Sequence, residues 1–135
     1  MKKYLNWSLF FAIYGLAAGI FYREFTKYYQ FSGTTVLGMA HAHILALGFG
    51  GFLVLALFVR VLHIKDNRKL ELANLLYIIG LLLASVMMLW RGGMEVSGAA
   101  ISDTLSTVIS CIAGVGHLAV AVGIVRYITV LKKLA

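Results

Sequence analysis

The stretch VLGMAHAHILALGFGGFLVLALFVRVL, residues 36–62, holds two histidines near its start and a single cation, Arg60, near its end. As a helix rising about 1.5 Å per residue it is about 40 Å long, more than the roughly 30 Å of hydrocarbon in a bilayer. Three further apolar runs accompany it, at residues 5–22, 72–90 and 104–130. Each is close to the ~20 residues that cross a membrane once. An outer-membrane barrel would show short alternating segments, and open strands would leave backbone groups unpaired in lipid. The expectation is an all-α transmembrane four-helix bundle, a single domain over residues 1–135.

Composition agrees with this reading. Of 135 residues, 61% are hydrophobic and 13% charged, with a mean hydropathy of +0.92. A soluble domain is roughly 45–50% apolar. Lys2 and Lys3 before an apolar run could open a cleavable secretory signal. The run, however, contains Asn6, Trp7, Tyr14 and Tyr22 and leads into Arg23-Glu24 without a small-residue cleavage site. It reads as a retained first helix.

With the N-terminus inside, nine basic residues fall on the cytoplasmic side: Lys2, Lys3, Arg60, Lys65, Arg68, Lys69, Arg126, Lys132 and Lys133. Arg23, Lys27 and Arg91 remain outside. That bias places both termini in the cytoplasm. The multi-pass chain is expected in a bacterial cytoplasmic membrane, and its formal charge of +7 follows from topology and attraction to anionic lipid, with no nucleic-acid partner needed. Tyr28, Tyr29 and Trp90 fit interfacial aromatic belts.

Proline is absent, which removes the usual source of broken helices in transporters. Fourteen glycines let helices approach closely, or make room for a flat cofactor. Cys111, the sole cysteine, cannot form an intrachain disulfide and reads as a small packing residue. Ser102, Ser106, Thr107 and Ser110 are placed to bond backbone carbonyls or neighbouring helices. Familiar hydrolase motifs are missing, and no enzymatic activity follows from the residues.

Histidine carries the functional signal. His63 belongs to the turn His63-Ile64-Lys65-Asp66 and reads as a solvated end residue. His41, His43 and His117 lie inside predicted spans, where polar side chains are expensive and point to function. Residues two apart on a helix differ by about 200°, so His41 and His43 face opposite ways and serve different sites. His117 stands among small residues, Ser110, Ala113, Gly114 and Ala121. A low-spin haem b needs two axial imidazoles at equal depth on facing helices. His43 is 17 residues from Arg60 and His117 is 15 from Lys132, about 25 and 22 Å along the two helices. If Arg126 marks the boundary instead, the two fall out of register by about 12 Å. Copper is the alternative cofactor, with Met39, Met87 or Met88 as soft partners to the histidines. A cofactor-free structural or accessory subunit is a third reading.

The run Gly38-Met39-Ala40-His41-Ala42-His43-Ile44-Leu45-Ala46-Leu47-Gly48 resembles the tenth helix of subunit I of haem–copper oxidases, with its A-H-x-H pattern. The resemblance implies that His41 matches the ligand of a high-spin haem and His43 that of a low-spin haem. Leu89-Trp90-Arg91-Gly92-Gly93-Met94 is similar to the turn after the eleventh helix, near which arginines hold haem propionates. Arg91 is the candidate this implies, although the family's adjacent arginine pair is absent here. The chain resembles roughly the last third of that subunit, a four-helix arc, which implies a homo-oligomer, a trimer before a dimer. The copper-site motif and the tyrosine after the second histidine, here Ile44, are missing, so oxygen reduction is not implied. Small four-helix bacterial membrane proteins, and a nitric-oxide-response membrane family with a similar His-Ala-His run, are comparable in style. The combined expectation is a membrane haem b protein using His43 and His117, with His41 at a second site or subunit contact. Its role is electron transfer, or sensing of haem or a diatomic gas.

Overall fold

The computed structural model describes residues 1–64 and 68–134. Four helices, each long and apolar enough to cross a membrane, account for nearly all of them. They are α1 (Lys2–Tyr28), α2 (Val36–Val61), α3 (Arg68–Ser97) and α4 (Asp103–Leu134). The chain is therefore a multi-pass, all-helical membrane protein. Lys65, Asp66 and Asn67, part of the expected cytoplasmic turn, lie outside the described residues.

Three of the helices, α1, α3 and α4, outrun the apolar segments that announced them, whereas α2 keeps to its own. Hydropathy marks the part of a helix inside hydrocarbon, whereas the backbone keeps its hydrogen bonds through the headgroup layer until a cap stops it. Three of the ends share one device. Phe31 N–H bonds Thr26 O at 2.9 Å, Ile64 N–H bonds Val59 O at 3.1 Å, and Ala99 N–H bonds Met94 O at 3.3 Å. Each bond closes over a left-handed residue, respectively Gln30, His63 and Gly98. His63 thus occupies a capping position at the exposed end of α2.

The expectation of a turn at Leu89–Met94 is overturned, because α3 runs through it to Ser97. Two features favour the helix there. Arg91 and Glu95 pair at i,i+4 across 3.4 Å. Gly92 presses directly on the Leu37 backbone, so α2 and α3 meet at a point where no side chain fits. Glu95 then caps the start of α2 from α3, its Oε2 accepting from Thr35 Oγ1 and from Val36 N–H, both at 2.9 Å.

The helices form an open arc. α2 packs against α1 and α3, and α3 packs against α4; among the described residues the α4 backbone comes close to that of α3 alone. Half of the apolar window of α3 is buried, against 22% of that of α4, which makes α3 the floor of the arc. Without water to drive helices together, close packing must hold them. At the α3–α4 seam a Cβ on Gly80 would lie 2.7 Å from Gly116 O, and one on Gly116 would lie 2.7 Å from Ala84 N. Tyr127 Oη donates to Asn74 Oδ1 at 2.7 Å across the same seam. On the other side Phe11 of α1 stacks on Phe52 of α2, with centroids 5.7 Å apart and planes 5° apart.

A departure that nothing in the hydropathy foretold lies in the middle of α2. Ile44–Gly50 is π-helical. Its effect is visible in the buried stripe Leu37, Ala40, Ile44, Gly48 and Phe52. In an uninterrupted α-helix Ala40 and Phe52 would be about 120° apart. The extra residue of the π turn brings them onto one face.

Candidate functional site

His41 and His43 leave α2 on opposite sides, as a spacing of two on a helix requires. His43 points across the open side of the arc to His117 of α4. Their ring centroids are 6.5 Å apart and their planes 83° apart. Among the described residues no Cα of α2 comes within 8 Å of one of α4, so the imidazoles bridge a gap that the backbones leave open. The meeting of the two rings puts both histidines at one level of the bundle.

Both rings are held the same way. His43 Nδ1 lies 2.9 Å from Met39 O, and His117 Nδ1 lies 2.7 Å from Ala113 O. A carbonyl can only accept, so each Nδ1 carries the proton and each neutral ring keeps the lone pair of Nε2 free. That is the arrangement in which metal-binding imidazoles are oriented, with the far nitrogen anchored to backbone.

His41 differs in every respect. It faces α1, where its ring stacks on Tyr22 at 5.9 Å and 16°, over the space left by Gly19. The His41 side of α2 thus packs on the chain's own first helix. Its Nδ1 is the one buried side-chain nitrogen or oxygen without a partner among the described residues. A proton there would be stranded in apolar surroundings, so the neutral ring carries it on Nε2. His41 has the opposite tautomer to the other pair.

Arg91 lies on the same side of the arc as His117. Together with Glu95, Ser110, Gly114 and Met88 they line a cavity of about 400 Å³ between α3 and α4, open at its rim. The guanidinium is aimed by two partners, Ser110 Oγ at 2.9 Å and Glu95 Oε1 at 3.4 Å. Gly114, one turn from His117, would meet nothing within 4 Å if it carried a Cβ. The glycines accordingly divide: Gly80, Gly92 and Gly116 close helix contacts, while Gly114 keeps open space beside a histidine.

Other polar residues have structural roles. Ser102 Oγ accepts from Leu105 N–H near the start of α4, and Thr107 donates to Asp103 O. Cys111 is exposed on α4, so it is not the packing residue it read as. Among the described residues no three His, Cys, Asp or Glu side chains converge. Ser8 and Tyr77, which sequence reasoning passed over, donate to Phe49 O and Leu47 O, both at 2.9 Å, inside the π segment next to His43. The only sequence signal was the run Gly48-Phe49-Gly50-Gly51.

No curated protein and no solved structure matches the chain. Residues 1–134 match a family described as "Protein of unknown function (DUF2871)". The match covers all but the last residue, and the chain belongs to that family.

Proposed function

We propose that this chain is a membrane-embedded b-type haem protein in which His43 and His117 would hold the iron, and that it serves in electron transfer. The observation that carries the reading is the His43–His117 pair, 6.5 Å between centroids with both Nδ1 atoms tied to backbone. Each ring keeps an Nε2 lone pair free, the donor that haem iron takes from histidine. The residues present fit the group. The gap between α2 and α4 supplies width, and Gly114 leaves space beside His117.

Haem bound there would supply one-electron iron chemistry, and two imidazole ligands would leave no open position for a gas. The chain's residues do the rest. Met39 O and Ala113 O polarise the imidazole N–H groups and strengthen each Nε2 as a donor. Arg91, on the rim of the His117 cavity, offers a cation to a carboxylate. His41, with its proton on Nε2, acts outside the ligand pair.

The excess of basic residues supports a cytoplasmic location for both termini, in a bacterial cytoplasmic membrane. Because among the described residues the α4 backbone lies against α3 alone and the helix exposes Val115, Leu118 and Val125, the arc is suited to a homo-oligomer, a trimer or a dimer, that covers its outer face. A copper reading draws on one observation, that Met87 and Met88 line the same cavity as His117 and offer soft sulfur ligands.

Purification in mild detergent after expression with ample haem, followed by oxidised and reduced absorption spectra and metal analysis, tests the proposal. A sharp Soret band with near-stoichiometric iron is expected. Copper in place of iron would move the assignment to the copper reading. A folded, colourless, metal-free protein would leave a cofactor-free accessory subunit.

A further inference from the structure

Ser8 of α1 and Tyr77 of α3 reach the π segment of α2 from two different helices. In an α-helix Leu47 O would accept from Gly51 N–H. Here Gly51 N–H reaches back to Ala46 O, the i→i−5 bond of a π turn, and Tyr77 Oη donates to Leu47 O in its place. Ser8 Oγ supplies a second donor, to Phe49 O. A carbonyl left unpaired at membrane depth is costly, so the donor that reaches Leu47 O from outside decides whether the turn persists, with Ser8 adding a second tie to the same segment. Gly51 belongs to the same device, since a Cβ there would lie 2.8 Å from Tyr77 Oη.

We propose that Ser8 and Tyr77 are positioning residues that hold the Ile44–Gly50 π turn and, through it, fix the angle at which His43 faces His117. A π turn carries an extra residue. Relaxing it to α would rotate the preceding part of α2 by about 100° relative to the following part. That rotation turns His43 away from His117 and breaks the buried stripe from Ala40 to Phe52. The inference deepens the haem reading and rests on it for the spectroscopic arm of its test; a second arm needs no haem.

In the first arm the full-length protein, loaded with haem, is compared with Tyr77→Phe, Ser8→Ala and the double variant. Tyr77→Phe keeps the ring that packs against Phe52 and Tyr127 and removes only the donor. Two histidine ligands with nearly perpendicular ring planes would give low-spin iron a strongly anisotropic paramagnetic resonance signal. The expected result is near-normal iron content in Tyr77→Phe with a clearly less anisotropic signal, a larger change in the double variant, and the wild-type signal in Ser8→Thr. A haem-loaded double variant with the wild-type signal overturns the proposal.

The second arm places His43→Cys and His117→Cys in a Cys111→Ser background and measures cross-linking by dibromobimane in membranes. Adding Tyr77→Phe and Ser8→Ala is expected to slow the cross-link several-fold, and an unchanged rate overturns the proposal. If the wild-type chain takes up no haem, the haem reading fails while this arm still decides the π-turn lock. Should the double variant not accumulate in membranes, Tyr77→Phe alone carries both arms.

Discussion

His43 and His117 stand with ring planes 83° apart and centroids 6.5 Å apart, although they come from helices whose backbones do not touch. Each ring is anchored to the carbonyl four residues before it, so the pair is oriented before any ligand arrives. Removing either imidazole should therefore remove the site. His43→Ala or His117→Ala is expected to lower haem retention at least about tenfold, the scale on which metal sites respond even to loss of an outer partner. His41→Ala should retain iron, because that ring stacks on Tyr22 and turns away from the pair. Iron per chain after size-exclusion in detergent checks all three, and stoichiometric haem in either of the first two variants would remove the proposed ligand pair.

Two glycines two residues apart on α4 should respond oppositely. A methyl group on Gly116 meets the Ala84 backbone, so Gly116→Ala is expected to destabilise by about 1–3 kcal/mol. A methyl group on Gly114 meets nothing, and the gain in helix propensity makes Gly114→Ala neutral or stabilising by up to about 1 kcal/mol. Thermal unfolding in one detergent ranks them. Equal losses of stability would contradict the close approach of α3 and α4.

Tyr127→Phe leaves Asn74 Oδ1 without the donor it has at 2.7 Å in the buried α3–α4 seam. A loss of about 1 kcal/mol is expected, since interhelical hydrogen bonds in membranes are worth about 0.6 to 1.7 kcal/mol. Denaturant titration of the variant beside Asn74→Ala measures it. Non-additivity in the double variant would confirm that the two side chains act as a pair.

Gln30, at φ 51°, holds a backbone conformation that L side chains resist. Gln30→Gly is expected to stabilise the end of α1 by about 1 kcal/mol, because glycine relieves that strain. A raised midpoint with unchanged helix content by circular dichroism is the outcome to look for. A lowered midpoint would show that the Gln30 side chain contributes more than its backbone costs.

What could be read from residues alone were the properties that depend on local composition and helix periodicity. Four spans follow from hydropathy, because lipid demands about 20 apolar residues per crossing whatever the fold. The opposite facing of His41 and His43 follows from the angle per residue. Neither requires knowing what packs where. Helix ends were less legible, because α3 continues past Trp90 on an Arg91–Glu95 pair and on a backbone contact between Gly92 and Leu37, a residue of another helix.

Only tertiary structure decided the rest. The π turn depends on donors far away in sequence, Ser8 and Tyr77, answering the carbonyls of Phe49 and Leu47. That His43 meets His117 while His41 meets Tyr22 depends on which helix stands on each side of α2. Periodicity says that two side chains point apart; the arc of packed helices says at what.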